Sequence, residues 1–128
     1  MLIHAEDDPH KARVIERIAK RVRPDLIYSL HLTTFEIGEK LAISDYHGPT
    51  FVITDWNLPG GGERAVEACR IHGIPHVVIS SQDPPDGFVD TYPETPWLIF
   101  AGLGLIEPLS KILSVVSTRG TAPTARNQ

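Results

Sequence analysis

The chain has 128 residues, 41% of them hydrophobic and 22% charged, with a formal net charge of -4. That length suits one domain with a real core, and that composition excludes a disordered chain. An acidic balance with no basic cluster argues against an electrostatic nucleic-acid surface.

Cys69 is the single cysteine, so an internal disulfide is excluded and a reducing compartment is expected. No apolar run approaches the ~20 residues of a membrane span. The first residues, MLIHAEDDP, lack the basic start and long apolar stretch of a signal peptide. The expectation is a cytoplasmic domain over residues 1–117, followed by a flexible polar tail over 118–128.

Met1 to Ala5 is short and apolar and reads as a buried strand. Asp8-Pro9 then suits an N-cap with proline in the first helical position. Ala12, Val14, Ile15, Ile18, Ala19 and Val22 recur at helical spacing, which predicts a helix with its Lys and Arg on the other face. Pro24 stops it. Asp25 to His31 is a second strand. Thr33 and Glu36 form a capping-box pattern that opens a helix to about Ser44. Phe51 to Thr54, apolar throughout, predicts a central strand. Gly60-Gly61-Gly62 lacks the lysine and spacing of a phosphate loop and reads as a flexible turn. Glu63 to Ile71 is helical and closes at Gly73. Pro75 to Ser80 and Trp97 to Phe100 are further strands, and Leu105 to Val116 is a last amphipathic helix. Between those strands, Pro84, Pro85, Gly87, Pro93 and Pro96 leave room for a degenerate helix of two turns at most.

Strands alternating with helices predict a flavodoxin-like α/β fold, a doubly wound five-stranded parallel sheet in the order 2-1-3-4-5. Ligands of such sheets bind beyond the carboxyl ends of the strands. Those ends carry Glu6-Asp7, Asp55 and Ser80. Carboxylates converging on one crevice repel one another unless a cation neutralises them, and an all-oxygen set selects a hard ion such as Mg²⁺.

In order and spacing, residues 1 to about 117 resemble the receiver domain of two-component response regulators. The acidic pair Glu6-Asp7, the aspartate of ITDWNLPGG and the serine of VVISS carry the resemblance. It implies that Asp55 accepts a phosphoryl group from a histidine kinase or phosphotransfer protein. It implies that Glu6, Asp7, Asp55 and the backbone carbonyl of Asn57 hold Mg²⁺, and that Ser80 bonds the phosphoryl oxygen and helps switch the fold. It implies a signalling module rather than an enzyme, whose output is an unknown protein partner, with no nucleic acid and no membrane involved. A second copy of the chain is a further candidate partner.

One family residue is missing. The fifth strand of the family ends in a lysine that pairs with the phosphoryl group. Here the strand runs WLIFAGLG, the lysine position falls on Phe100 or Ala101, and the nearest lysine in sequence is Lys111, well inside the last helix. This departure predicts weak coupling between phosphorylation and the fifth strand. It favours, as an alternative, a pseudo-receiver that signals without phosphorylation. A Mg²⁺-dependent phosphatase of the haloacid-dehalogenase type is a weaker alternative, because that class needs an aspartate where Asn57 stands.

Overall fold

The computed structural model describes residues 1–33 and 50–116. The helix expected from Thr33 to Ser44 and the tail expected over 118–128 lie outside the described residues, but for Thr33 itself. Strands β1 (Leu2–Ala5), β2 (Tyr28–His31), β3 (Phe51–Thr54), β4 (His76–Ser80) and β5 (Trp97–Ile99) form one sheet. The described helices are α1 (Pro9–Val22), α2 (Gly62–His72), the single turn α3 (Phe88–Thr91) and α4 (Ile106–Ser114), which follows a 3-10 turn at Gly102–Leu105.

All neighbouring strands are parallel, in the order β2-β1-β3-β4-β5. Ala5 stands opposite both His31 and Thr54, Thr54 opposite Val78, and Val78 opposite Trp97. The carboxyl ends of the strands therefore lie along one edge. The fold is the expected flavodoxin-like α/β arrangement.

Period-2 alternation along fully buried strands gives each sheet face its own core. Leu2, Phe51, Ile53, Val77 and Ile79 pack with Ile15, Ile18, Leu109 and Leu113, the inward stripes of α1 and α4. On the opposite face Ile3, Ala5 and Val52 pack with Leu58 and Cys69. Cys69 is thus core, and burial pushes its thiol up to about 12. Val66 and Val78 meet Phe88 and Tyr92 in a third cluster.

Helix α1 begins where the sequence says. The Asp8 carboxylate accepts from His10 N at 2.9 Å and Lys11 N at 3.4 Å, and Pro9 occupies the first turn. The expectation that its Lys and Arg all lie on the outer face fails at Lys11, which is buried within α1. Arg23, just past the helix, is also buried. Its guanidinium donates to Leu113 O at 2.8 Å and Val116 O at 2.5 Å, satisfying carbonyls at the end of α4, and it pairs with Asp25 at 2.8 Å.

The glycine run forms the expected turn, and backbone hydrogen bonds hold it. Gly61 N donates to Leu58 O and Gly62 N to Trp56 O, each at 2.8 Å, and Gly62 is buried at the start of α2.

Candidate functional site

Two acids are aimed by the sheet itself. Glu6 follows β1 and its N–H donates to His31 O at 2.9 Å; Asp55 follows β3 and its N–H donates to Ala5 O at 3.0 Å. Each residue is thus held by the ladder of a neighbouring strand while its carboxylate projects beyond the sheet. Glu6, Asp7 and Asp55 each offer a carboxylate oxygen, and these atoms lie within 4.8 Å of one another. Glu6 and Asp55 are buried, whereas Asp7 is exposed at the mouth.

Glu6 Oε2 accepts from Asp8 N at 3.1 Å. Its Oε1 forms an ion pair with Lys11 Nζ at 3.1 Å. Burial raises the Glu6 carboxyl above its ordinary value, and the Lys11 charge opposes the rise. Asp55 Oδ1 accepts from Trp56 N at 2.7 Å and lies 3.2 Å from Lys11 Nζ. No such bond engages Oδ2 among the described residues. One oxygen is oriented by these contacts.

Ser80, at the end of β4, is buried, and its Oγ accepts from Gln82 N at 3.2 Å. Asn57 is exposed, and its side-chain amide donates to Gln82 Oε1 at 3.3 Å. Gln82 therefore joins the loop after β3 to the loop after β4. Trp56 packs edge-on to Phe88 and Tyr92, with ring centroids 5.3 and 6.2 Å away, and tilts against Trp97 at 5.5 Å. This aromatic wall stands beside Asp55.

Sequence reasoning missed Lys11. Its side chain is almost wholly buried and bridges Glu6 and Asp55, and its ammonium lies 5.9 Å from the centroid of the Phe100 ring. The signal was present: Lys11 stands four residues before Ile15, seven before Ile18 and eight before Ala19, all of them buried. That is the inward stripe. Lys111, the lysine that sequence proximity singled out, is instead exposed on α4 and pairs with Glu107 at 3.5 Å.

No family model matches the chain, and no curated protein matches it. Solved structures do. The receiver domain of a response regulator from Rhodospirillum rubrum aligns with a TM-score of 0.75 at 18% identity, covering 93% of this chain and 96% of that one. This chain has the receiver-domain fold. The phosphorylated cyanobacterial phytochrome response regulator RcpA aligns with a TM-score of 0.67 at 17% identity, over 88% of this chain and 87% of that one. The receiver domain of Francisella response regulator 1452 gives a TM-score of 0.59 at 16% identity, over 88% and 94% of the two chains. In this receiver fold the acidic edge of the sheet is built from Glu6, Asp7 and Asp55.

The donor set fits a hard cation. It is all oxygen, it is partly buried, and one carboxylate oxygen from each of the three acids lies within 4.8 Å of the others. Among the described residues no helix is long and apolar enough to cross a membrane.

Proposed function

We propose that this chain is a phosphoaccepting receiver of two-component signal transduction, with Asp55 as the acceptor. The observation that carries the reading is the Asp55 carboxylate. Its Oδ1 is oriented by Trp56 N–H at 2.7 Å, and it shares a crevice with Glu6 and Asp7. An oriented carboxylate can act as a nucleophile toward phosphorus. Glu6, Asp7, Asp55 and the Asn57 carbonyl are the residues that would hold Mg²⁺. When bound, the ion supplies neutralising charge for an incoming phosphoryl group. The donor on this reading is a histidine kinase or phosphotransfer protein, and the output is a protein contact.

The test uses acetyl phosphate with Mg²⁺, read by intact mass. The expected result is one added phosphoryl group on the wild type and none on Asp55→Asn. Uptake that survives Asp55→Asn overturns the acceptor assignment. A wild type that takes up nothing, with or without divalent metal, supports the phosphorylation-independent pseudo-receiver, the reading favoured by an aromatic residue, Phe100, just past the end of β5.

A further inference from the structure

We infer that Lys11, on the first turn of α1, is the cation that pairs with the phosphoryl group on Asp55, in place of a lysine on β5. This rests on the reading of Asp55 as the phosphoryl acceptor. Three features of Lys11 carry it. Its ammonium already bridges the acceptor and the acidic pair, 3.2 Å from Asp55 Oδ1 and 3.1 Å from Glu6 Oε1. A buried ammonium needs such partners, and these two carboxylates supply them. The backbone that carries it is fixed: Asp8 caps the helix and accepts from Lys11 N at 3.4 Å, while Asp8 N donates to Glu6 Oε2 at 3.1 Å. The acid and the cation are therefore parts of one strand-to-helix turn. Finally, the Phe100 ring lies 5.9 Å from the ammonium. Phe100 N donates to Ser80 O at 2.8 Å, which anchors this residue just past β5. The residue at the end of β5 covers the cation rather than supplying it.

The chemistry balances without a proton. An Asp55 carboxylate oxygen forms a bond to phosphorus, the bond from phosphorus to the acetate oxygen of acetyl phosphate breaks, and acetate leaves with the electron pair. The Asp55 negative charge that Lys11 faces is replaced by phosphoryl oxygens carrying more of it. A cation within reach gains a charge-assisted hydrogen bond in the product. Because Lys11 belongs to α1, the gain is made by that helix, and a ligand biases only the element with which its contacts differ. Phosphorylation then registers on the first turn of α1 rather than on β5.

The test compares wild type, Lys11→Met and Lys11→Arg for phosphoryl uptake from acetyl phosphate, with Mg²⁺ affinity read from tryptophan fluorescence. Lys11→Met is expected to lower the uptake rate at least tenfold without weakening Mg²⁺, since a competing cation has been removed. Lys11→Arg is expected to keep the rate within a few-fold. Unchanged uptake in Lys11→Met overturns the inference while leaving the Asp55 reading intact, as does a loss of uptake that follows a loss of Mg²⁺ affinity. No uptake by the wild type overturns the Asp55 reading, and the inference with it. A second measurement needs no variant: beryllofluoride is added to the ¹⁵N-labelled wild type as a phosphoryl mimic. Shifts of the Lys11 ammonium and of the amides of His10 to Arg13 are expected, and their absence when the amides of Asp55 to Asn57 do shift overturns the inference.

Discussion

Gly62 shows how tightly Asp55 is held. A Cβ built there would lie 2.1 Å from Asp55 O and 2.5 Å from Trp56 Cα, both backbone atoms that no side-chain rotation can move aside. The neighbouring Gly61 meets nothing within 4 Å but has a φ of +85°, so its constraint is conformational rather than steric. Three glycines in a row thus serve a close approach and a left-handed turn, and the segment that looks loosest in the sequence positions Asp55. Gly62→Ala is expected to destabilise by at least ~1–3 kcal/mol, the usual cost of overpacking a filled site. On the proposed reading of Asp55 it should also slow phosphoryl uptake, because the strain falls on the Asp55 peptide. Urea unfolding and intact mass check the two parts; a variant of wild-type stability would show that the loop yields freely.

Among the elements, α3 departs furthest from a regular strand-helix repeat. Its four residues, Phe88–Thr91, cannot stand as a helix on their own. Aromatic packing holds them. Phe88 is buried between Trp56 at 5.3 Å, Tyr92 at 5.3 Å and Trp97 at 4.9 Å, while Tyr92 Oη donates to Glu63 Oε2 at 2.6 Å and Trp97 Nε1 to Gln82 O at 2.9 Å. Proline and glycine forbid the longer helix, and ring contacts worth ~0.5–1.5 kcal/mol beyond their buried area replace what it would contribute. Phe88→Ala is expected to cost about 3–5 kcal/mol. The loss of near-ultraviolet circular dichroism from Trp56 and Trp97 should accompany it, since both rings lose their shared neighbour. A full near-ultraviolet signal in that variant would mean that the rings are ordered by other contacts. Helix α1 carries a different lesson. Its buried stripe runs from Lys11 through Ile15 to Ile18 and Ala19, so one amphipathic face both docks the helix and delivers a charge.

For the whole molecule, stability is tied to pH through the interior of the sheet. His4 is buried in β1 with its Nδ1 on the Tyr28 hydroxyl and its Nε2 without a hydrogen-bond partner. Burial first, and the Lys11 charge second, push its pKa from 6.5 down to about 3. Between those values the unfolded chain binds a proton that the folded chain refuses. The stability is fully present above pH ~6.5 and is lost as pH falls toward 3, by up to about 1.4 kcal/mol per pH unit. Glu6 works in the opposite sense, because its raised pKa lets the folded state take up a proton first as pH falls. The contribution of His4 is therefore read as a difference: from pH 7.5 to pH 5 the urea midpoint of wild type should fall more steeply than that of His4→Gln. Parallel slopes would show that His4 is protonated in the fold.

What the sequence determined by itself is what depends on local pattern. Apolar runs, caps and proline stops mark the strands and α1, and the alternation of strands with helices implies a parallel sheet whose carboxyl ends carry Glu6, Asp7, Asp55 and Ser80. Those residues were legible because strand order alone places them on one edge. Lys11 was not read as part of the site, although its spacing put it on the inward stripe, because a lysine at the start of a helix ordinarily reaches water. Whether it does depends on what lies over that turn, here Glu6 from β1, Asp55 from β3 and the Phe100 ring from beyond β5. These come from positions spread over some ninety residues of chain. Only the tertiary structure brings two carboxylates and a ring around one ammonium, and the strength of charge pairing depends on that distance and on the exclusion of water, neither of which is a property of sequence spacing.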